Sequence, residues 1–336
     1  MSTKGLRCFA ACVLLLCAGA ATAAAKEVTI GYQIILNPWK VAIAQGAFEK
    51  ATGWDIKWRQ FNSGSAVNAA MASGHLAIAL AGSSPIAAGL SQGIPYDLFW
   101  IMEGITEAEA LAVRDGSGIV APQDLRGKKI AVPFVSTTHF HLLFALEQFG
   151  IAEGDVRILN MQPPQMVPAW VRGDIDAAFV WYPILGRLLE TGHTLINSGQ
   201  LAGWGKATFD GVVVLRDFAN ENPEFMTAFA KTLDAAQALY RDNAAAWTED
   251  SEYVAAIVKL HGVKPSDVVQ SLALYDFPSA RELVTERWLG GGAEGGAARA
   301  IRFTAEFLKA EKKIPKLADD YGAFIDSRWA AAAAGQ

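Results

Sequence analysis

The sequence of 336 residues contains few of the side chains that most often carry covalent or metal chemistry. Its three cysteines, Cys8, Cys12 and Cys17, all precede residue 18, so the rest of the chain can form no disulfide, thiolate metal site or cysteine nucleophile. Two of its five histidines, His139 and His141, are two residues apart, which points them to different faces of a helix. No HExxH motif is present. We therefore expect neither a metal site nor another cofactor.

The chain also lacks an excess of positive charge. Its 29 lysines and arginines are outnumbered by 34 acidic residues, which gives a formal net charge of −5. Proteins that bind nucleic acid neutralise phosphates with a basic surface, so nucleic acid is not an expected partner. A composition of 52% hydrophobic and 19% charged residues is typical of a well-packed globular protein, and the length suggests about two domains.

Long apolar runs are missing except at the N-terminus. Residues 9–20 are apolar but too few to cross a membrane comfortably; Lys4 and Arg7 precede them, and a small-x-small triplet follows at residues 21–23. This pattern indicates a secretory signal peptide over residues 1–23, so we expect the mature protein in the periplasm. A retained anchor helix and a lipoprotein modified at Cys17 are the alternatives.

Strand-like and helix-like segments alternate along the chain, which predicts an α/β fold with largely parallel sheets. The pattern predicts helices over residues 39–50, 223–242 and 297–312, among others. One pattern occurs twice, in residues 72–85 and 171–183. Each copy has the end of a helix, a glycine, a small apolar strand and a turn that contains proline. The repeat predicts two lobes of similar design, with ligands bound beyond the carboxyl ends of the strands.

A second pattern also occurs twice, in residues 109–115 and 210–217, as an acidic residue, an apolar run and Arg-Asp. We interpret the two copies as antiparallel strands that cross between the lobes and allow the cleft to close. Two unrelated buried strands are the alternative. The expected organisation is a first lobe of residues 24–111 and 212–336, with an inserted second lobe of residues 112–211.

The most informative junction begins as a buried strand, "AVPFV", and continues as the polar group Ser136, Thr137, Thr138 and His139 before an amphipathic helix. A metal site and a Ser–His nucleophile are disfavoured by the spacing and by the lack of a G-x-S-x-G turn. Serine and threonine are preferred helix N-caps, and free amides with the helix dipole favour an anion. No acidic residue lies in residues 134–146, so nothing in the local sequence repels an anion. Capping alone is the structural alternative.

A matching turn, Gly82-Ser83-Ser84-Pro85, repeats this chemistry in the other predicted lobe. Two hydroxyl-rich helix starts that face one cleft could hold one tetrahedral anion. Neither loop contains arginine or lysine, which favours a monoanion over a multiply charged phosphate.

Two acidic residues, Glu109 and Asp210, begin the repeated strands and should lie near the cleft. They could act as the acid and base of a glycosidase, or they could hold a cation together with the π face of Trp181. An ordinary half-buried aromatic is the alternative for Trp181. Anion donors, carboxylates and an indole in one cleft describe a site for a small zwitterion.

Several segments resemble the taurine-binding periplasmic proteins of ABC importers, whose wider relatives are aliphatic-sulfonate and nitrate receptors. They are "TIGYQ", "NSGSAVNAAMASGHLAIALAGSSPIAAGLSQGIP", "EALAV", "DLRGKKIAVPFVSTTHFHLLFALEQFGI", "QPP", "AWVRGDIDAAFVWYP" and "TFDGVVV". The resemblance covers nearly all of the mature chain. It implies the type II periplasmic-binding-protein fold, with two α/β lobes joined by two hinge strands. It also implies a monomeric, non-enzymatic receptor without a cofactor, which delivers a small-molecule ligand to an ABC permease.

The resemblance also implies a ligand site. The sulfonate would be held by Gly82, Ser83, Ser84, Ser136, Thr137, Thr138 and backbone amides, with His139 shaping the turn; the ammonium would be held by Glu109, Asp210 and Trp181, with Gln33 lining the cleft.

Two departures from the family pattern leave other aminosulfonates or zwitterions open as ligands. They are the bulky loop of residues 33–39 and Gly211. Alternatives of other classes are a thiamine-precursor synthase-like enzyme, a hydrolase that uses Glu109 and Asp210, and a sensor subunit.

Overall fold

Two mixed β-sheets organise residues 26–336, the part of the chain that the computed structural model describes. The predicted signal peptide lies outside these residues. The strands are β1 Glu27–Gln33, β2 Asp55–Phe61, β3 Ile78–Gly82, β4 Tyr96–Ile105, β5 Glu109–Arg114, β6 Lys129–Val132, β7 Arg157–Asn160, β8 Ala177–Trp181, β9 Gly192–Asn197, β10 Thr208–Leu215 and β11 Tyr275–Asp276.

Helices surround both sheets. They are α1 Trp39–Ala44, α2 Ala47–Thr52, α3 Gly64–Ala72, α4 Ser83–Ser91, α5 Thr137–Gln148, α6 Pro163–Arg172, α7 Ile184–Leu189, α8 Ser198–Gly203, α9 Arg216–Glu221, α10 Pro223–Arg241, α11 Glu252–His261, α12 Pro265–Leu272, α13 Ala280–Leu283, α14 Gly296–Ala310 and α15 Arg328–Ala334. Across residues 26–336 none of these helices combines the length and the apolar character that a membrane span requires.

The two sheets repeat one design. The first has the order β11-β4-β10-β3-β1-β2, and the second has the order β7-β6-β8-β5-β9. In each sheet a strand of the 72–85 type (β3 or β8) lies between a parallel neighbour and an antiparallel one. The prediction of two lobes of similar design is therefore confirmed. We call the first sheet with its helices the first lobe and the second sheet with its helices the second lobe.

The prediction of largely parallel sheets is wrong for three strands. The short β11 runs antiparallel to β4. β10 runs antiparallel to both β3 and β4, and β5 runs antiparallel to both β8 and β9. Each is the first strand that the chain enters after it leaves the other lobe. The chain enters each sheet at the carboxyl ends of the parallel strands. β5 and β10 must therefore run in the opposite direction to those strands.

The two strands expected to cross between the lobes, β5 and β10, lie at the points where the chain has just changed lobe. β5 belongs to the second sheet and β10 to the first, so the two strands are equivalent in the two lobes and do not pair with each other. The chain passes between the lobes at residues 106–108 and 204–207, outside the strands. We propose that these two short connections are the hinge, with the second lobe spanning residues 109–203.

Local predictions were mostly close for the long helices. The predicted helices over residues 223–242 and 297–312 are α10 and α14, within two residues at each end. The single helix expected over residues 39–50 is instead two short helices. Gly46 separates them because it adopts a left-handed backbone conformation, with φ of 64°.

Candidate functional site

A small cavity lies between the lobes, at the end of each sheet where β3 and β8 finish. The cavity is lined by Gln33, Ile35, Gly64, Gly82, Pro85, Glu109, Ser136, Thr137, Trp181 and Asp210. All of these except Ile35, Gly64 and Pro85 were expected from the sequence as site residues. The other predicted residues, Ser83, Ser84, Thr138 and His139, are buried beside the cavity but are not part of its lining.

The two acids of the lining occupy equivalent places in the two lobes. Glu109 begins β5 and lies opposite Trp181 on β8, whereas Asp210 lies near the start of β10 opposite Gly82 on β3. Their solvent-exposed fractions are 3% and 4%. The repeated sequence pattern therefore brings one buried carboxyl group from each lobe to one cavity.

Glu109 is held by hydroxyl groups of the second lobe. Thr137 Oγ1 donates a hydrogen bond to Glu109 Oε1 at 2.6 Å, and Ser198 Oγ lies 3.4 Å from Glu109 Oε2. Burial, followed by the nearby charge of Asp210, raises the pKa of Glu109 to about 8. Ser198 also lies 2.7 Å from His141 Nδ1. Ser198 could not be identified from the sequence, because nothing in its local pattern ties it to a residue 89 positions earlier.

Asp210 is in contact with an acid that the sequence analysis did not single out. Burial raises the pKa of Asp210 to about 7, and a hydrogen bond with Glu103 opposes this rise. Glu103 lies on β4 and is fully buried, and Asn37 Nδ2 donates to both of its carboxyl oxygens, at 3.0 and 3.1 Å. The pKa of the first-lobe acid is therefore raised by burial and lowered in part by a buried neighbour outside the cavity lining.

The start of α5 combines a capped helix with a contact to an acid from another strand. Ser136 caps the helix, because its Oγ accepts from the amide of His139 at 3.1 Å, and it also lies 2.7 Å from Thr138 Oγ1. Ser136 and Thr138 therefore shape the turn. Residues 134–146 contain no acid, but Thr137 Oγ1 donates a hydrogen bond to Glu109, which begins β5. The acid comes from another strand, so the local sequence could not reveal it.

The start of α4 has free hydrogen-bonding capacity. Ser83 and Ser84 are fully buried, and neither hydroxyl oxygen has a hydrogen-bond partner within residues 26–336. A buried polar group without a partner typically destabilises a protein by about 1–3 kcal/mol. Most buried polar groups are paired, so two adjacent exceptions at one cleft need an explanation. A ligand acceptor that enters from the cavity would supply one.

His139 has a structural place in the turn. Its ring stacks on Phe134 with centroids 4.6 Å apart, and its Nδ1 accepts a long hydrogen bond, 3.4 Å, from the amide of Val135. Burial, with a smaller effect of Lys313, lowers the pKa of His139 to about 4. The imidazole is therefore neutral at physiological pH and does not face the cavity as a cation.

The lobes are in direct contact across the cleft. Trp181 Nε1 donates to the carbonyl oxygen of Ile34 at 3.2 Å, and Ser65 Oγ donates to the carbonyl oxygen of Phe134 at 3.2 Å. At Gly82 a Cβ atom would lie 2.9 Å from Thr137 Cγ2, too close for any residue larger than glycine without movement. The structure is therefore a closed arrangement of the two lobes.

The two departures from the family pattern have different structural roles. The bulky loop of residues 33–39 reaches the site, because Ile35 lines the cavity and Ile34 receives the hydrogen bond from Trp181. Gly211 instead packs inside the first lobe, where a Cβ atom would lie 2.5 Å from Leu98 Cδ1. Only the first departure bears on ligand size.

Comparisons with known proteins agree with this architecture. The family model described as NMT1/THI5 like matches residues 37–246. The taurine-binding periplasmic protein of Escherichia coli (strain K12) is 40% identical over 307 residues, which cover 91% of this chain and 93% of that protein.

Two solved structures show how widely the fold is used. The alkanesulfonate-binding protein SsuA from Xanthomonas axonopodis pv. citri, bound to MOPS, has a TM-score of 0.71 at 23% identity, covering 87% of this chain and 96% of that one. The desulfurization enzyme DSZB has a TM-score of 0.65 at 15% identity, covering 92% and 99%. Likeness at these identities concerns the fold alone, and the fold is shared by binding proteins and an enzyme. On the family match and the closely similar relative, the chain belongs to the NMT1/THI5-like family and has the two-lobed fold of periplasmic binding proteins.

Proposed function

We propose that this protein is the extracytoplasmic solute-binding component of an ABC importer and that its ligand is taurine. The lobes would close around taurine and present it to a permease in the cytoplasmic membrane. The observation that carries the proposal is a cavity lined by one buried carboxyl group from each lobe and flanked by the buried Ser83 and Ser84, whose hydroxyls have no partner within residues 26–336. The 40% identity to a taurine-binding periplasmic protein supports the same assignment.

The arrangement suits a short zwitterion. The sulfonate would accept hydrogen bonds at the start of α4, from Ser83, Ser84 and the free amides of the first turn. The ammonium would meet Glu109 and Asp210, next to the face of Trp181. Gly82 is the N-cap residue of α4 and is also the cross-strand partner of Asp210, so anion donors and acids are adjacent. Such adjacency fits a ligand whose opposite charges are separated by two carbons.

The raised pKa values make selectivity depend on pH. With pKa values of about 7 and 8, Asp210 and Glu109 are partly protonated at neutral pH when no ammonium is present. A plain alkanesulfonate then leaves neutral acids unpaired, which costs little. At higher pH the same ligand would leave buried charges unpaired, which is costly. Preference for taurine over ethanesulfonate should therefore increase with pH.

The proposal includes the expected setting of the protein. We propose that it works as a monomer in the periplasm, that it has no catalytic residues, and that its partners are the ligand and the permease. The fold does not by itself exclude an enzyme, since DSZB shares it. The chain has no cysteine after residue 17, so an enzyme here would have to work without a thiol.

A ligand panel tests the assignment. Thermal unfolding of the purified protein from residue 24 onward would be followed with taurine, ethanesulfonate, hypotaurine, 2-aminoethylphosphonate, β-alanine and nitrate. A ligand at a hundred times its dissociation constant stabilises the folded state by about 2.7 kcal/mol, which is readily detected. We expect the largest shift with taurine. No shift with any sulfonate would reject the proposed ligand class.

A further inference from the structure

The fully buried Glu103 faces Asp210 across neighbouring strands. The two residues are directly opposite in the register of β4 and β10, and the register shifts immediately afterwards, between Asp210 and Gly211. Opposed residues on neighbouring strands point to the same side of a sheet, so their side chains meet. The two carboxyl groups are within hydrogen-bonding reach of each other.

The surroundings of Glu103 offer it donors but no direct ion pair. Asn37 supplies one amide nitrogen to both carboxyl oxygens. Lys40 is also fully buried, but its ammonium donates to the carbonyl oxygen of Gln33 at 3.1 Å and lies 3.7 Å from the ring centroid of Tyr32. Lys40 therefore acts on Glu103 from a distance and does not neutralise it by contact.

The charged and titratable groups around this point come from five elements: Glu103 on β4, Asp210 on β10, Glu109 on β5, Tyr275 on β11 and Lys40 on α1. Three acids and one lysine share a buried region. Two carboxylates in contact cannot both remain charged in such a place, because like charges and burial both favour the neutral form. One proton between the two carboxyl groups removes this repulsion and makes one hydrogen bond.

We infer that Glu103 holds this proton and donates it in a hydrogen bond to Asp210, so that the pair presents a single negative charge to the ligand. The inference rests on the proposed function in one respect, namely that the ligand carries an ammonium. Glu103 does not line the cavity and is a positioning residue: it acts on the ligand only through Asp210.

The directions of the pKa shifts of Glu103 and Asp210 agree with this assignment. Burial and the charge of Asp210 raise the pKa of Glu103 well above its ordinary range. The hydrogen bond from Glu103 opposes the effect of burial on Asp210, whose pKa is about 7. Without that hydrogen bond, Asp210 would hold its own proton at higher pH and would attract an ammonium less at neutral pH.

Two substitutions of Glu103 distinguish its role as a hydrogen-bond donor from a role as a charged group. Glu103→Gln keeps the size and a donor toward Asp210 but can never ionise. Glu103→Met keeps the length and removes the donor. We expect Glu103→Gln to bind taurine within about threefold of the wild-type protein. We expect Glu103→Met to bind at least tenfold more weakly at pH 6.5 and to recover as the pH rises toward 8.5, in calorimetric titrations across this range.

A measurement without ligand tests the proton directly. If Glu103 is protonated in the folded protein and charged in the unfolded chain, Glu103→Gln lowers by about one the number of protons taken up on folding between pH 5.5 and 7.5. Urea unfolding at several pH values gives this number. An unchanged proton count, or a large loss of taurine affinity in Glu103→Gln at every pH, would overturn the inference, since a charged Glu103 would then be required.

Taurine affinity tests the proposed function, and the proton count on folding tests the protonation of Glu103, so the two proposals can fail independently. If the wild-type protein does not bind taurine, the proposed function fails, while the proton count of the ligand-free protein still decides the state of Glu103. If Glu103→Met does not fold, Glu103→Gln alone carries the test, because it must behave like the wild-type protein if the wild-type Glu103 is neutral.

Discussion

Removing the charge of Asp210 should weaken taurine binding far more than the binding of ethanesulfonate, which has no ammonium. Asp210→Asn keeps the shape of the side chain and its ability to accept a hydrogen bond from Glu103. It removes the charge of a side chain that is 4% exposed and lines the cavity. The substitution therefore tests the assigned role of the carboxylate and disturbs the packing little.

The size of the effect follows from burial. Removing one partner of a buried, hydrogen-bonded charge pair weakens binding by about 2–5 kcal/mol, or roughly 30-fold to several-thousand-fold. Glu109 still supplies a second acid, so we expect the lower part of this range, about 30- to 300-fold, for taurine. Because the pKa of Asp210 is about 7, the wild-type protein can neutralise it at small cost when ethanesulfonate binds. That ligand should change by less than about threefold.

Calorimetric titration of both ligands at pH 7.5 measures the difference. Asp217→Asn is the matched control, because Asp217 is an exposed acid just beyond the far end of the same strand. Its variant should bind both ligands like the wild-type protein. Equal losses of taurine and ethanesulfonate in Asp210→Asn would refute the assignment of Asp210 to the ammonium.

Three further results are expected. Without ligand, the free energy of unfolding in urea should fall as pH rises from about 4.5 to 8, by up to about 1.4 kcal/mol per pH unit for each buried acid, because the folded state keeps protons that the unfolded chain releases. Glu109→Gln should flatten this slope, and an unchanged slope would count against the raised pKa of Glu109. Gly82→Ala should weaken all ligands at least tenfold because its Cβ would press on Thr137, whereas Gly203→Ala, with open space around it, should bind normally. Trp181→Phe loses one hydrogen bond between the lobes and should weaken every ligand by about 1 kcal/mol, or about fivefold; a loss confined to taurine would instead mean that the indole acts mainly on the ammonium.

The sequence was sufficient for the features that repeat. The two copies of the helix-glycine-strand-proline pattern predict two lobes of one design, and the two acidic strand starts bring Glu109 and Asp210 to one cavity. Repetition is informative here because equivalent positions in two similar sheets face the same cleft. The order of strands could not be predicted in the same way, since it depends on where the chain re-enters each lobe.

The residues that the sequence analysis missed act through tertiary contacts. Glu103 lies in β4, a strand of ten residues that is buried throughout, and its meeting with Asp210 depends on the register of a strand about a hundred residues away. Ser198 and Thr137 reach Glu109 from two different helices. A local pattern identifies which residues can cap a helix. It does not identify which acid will lie against that cap, and here that contact changes the chemistry of the site.

Counting the protons released when taurine binds tests the zwitterion site most directly. Calorimetric titrations at pH 7 in buffers of different ionisation enthalpy give this number without any substitution. Since Asp210 and Glu109 have pKa values of about 7 and 8, an ammonium that binds their charged forms should displace on the order of one proton. Release of about one proton with taurine, and none with ethanesulfonate, is expected. Taurine binding without proton release would contradict the pairing of its ammonium with these two buried acids.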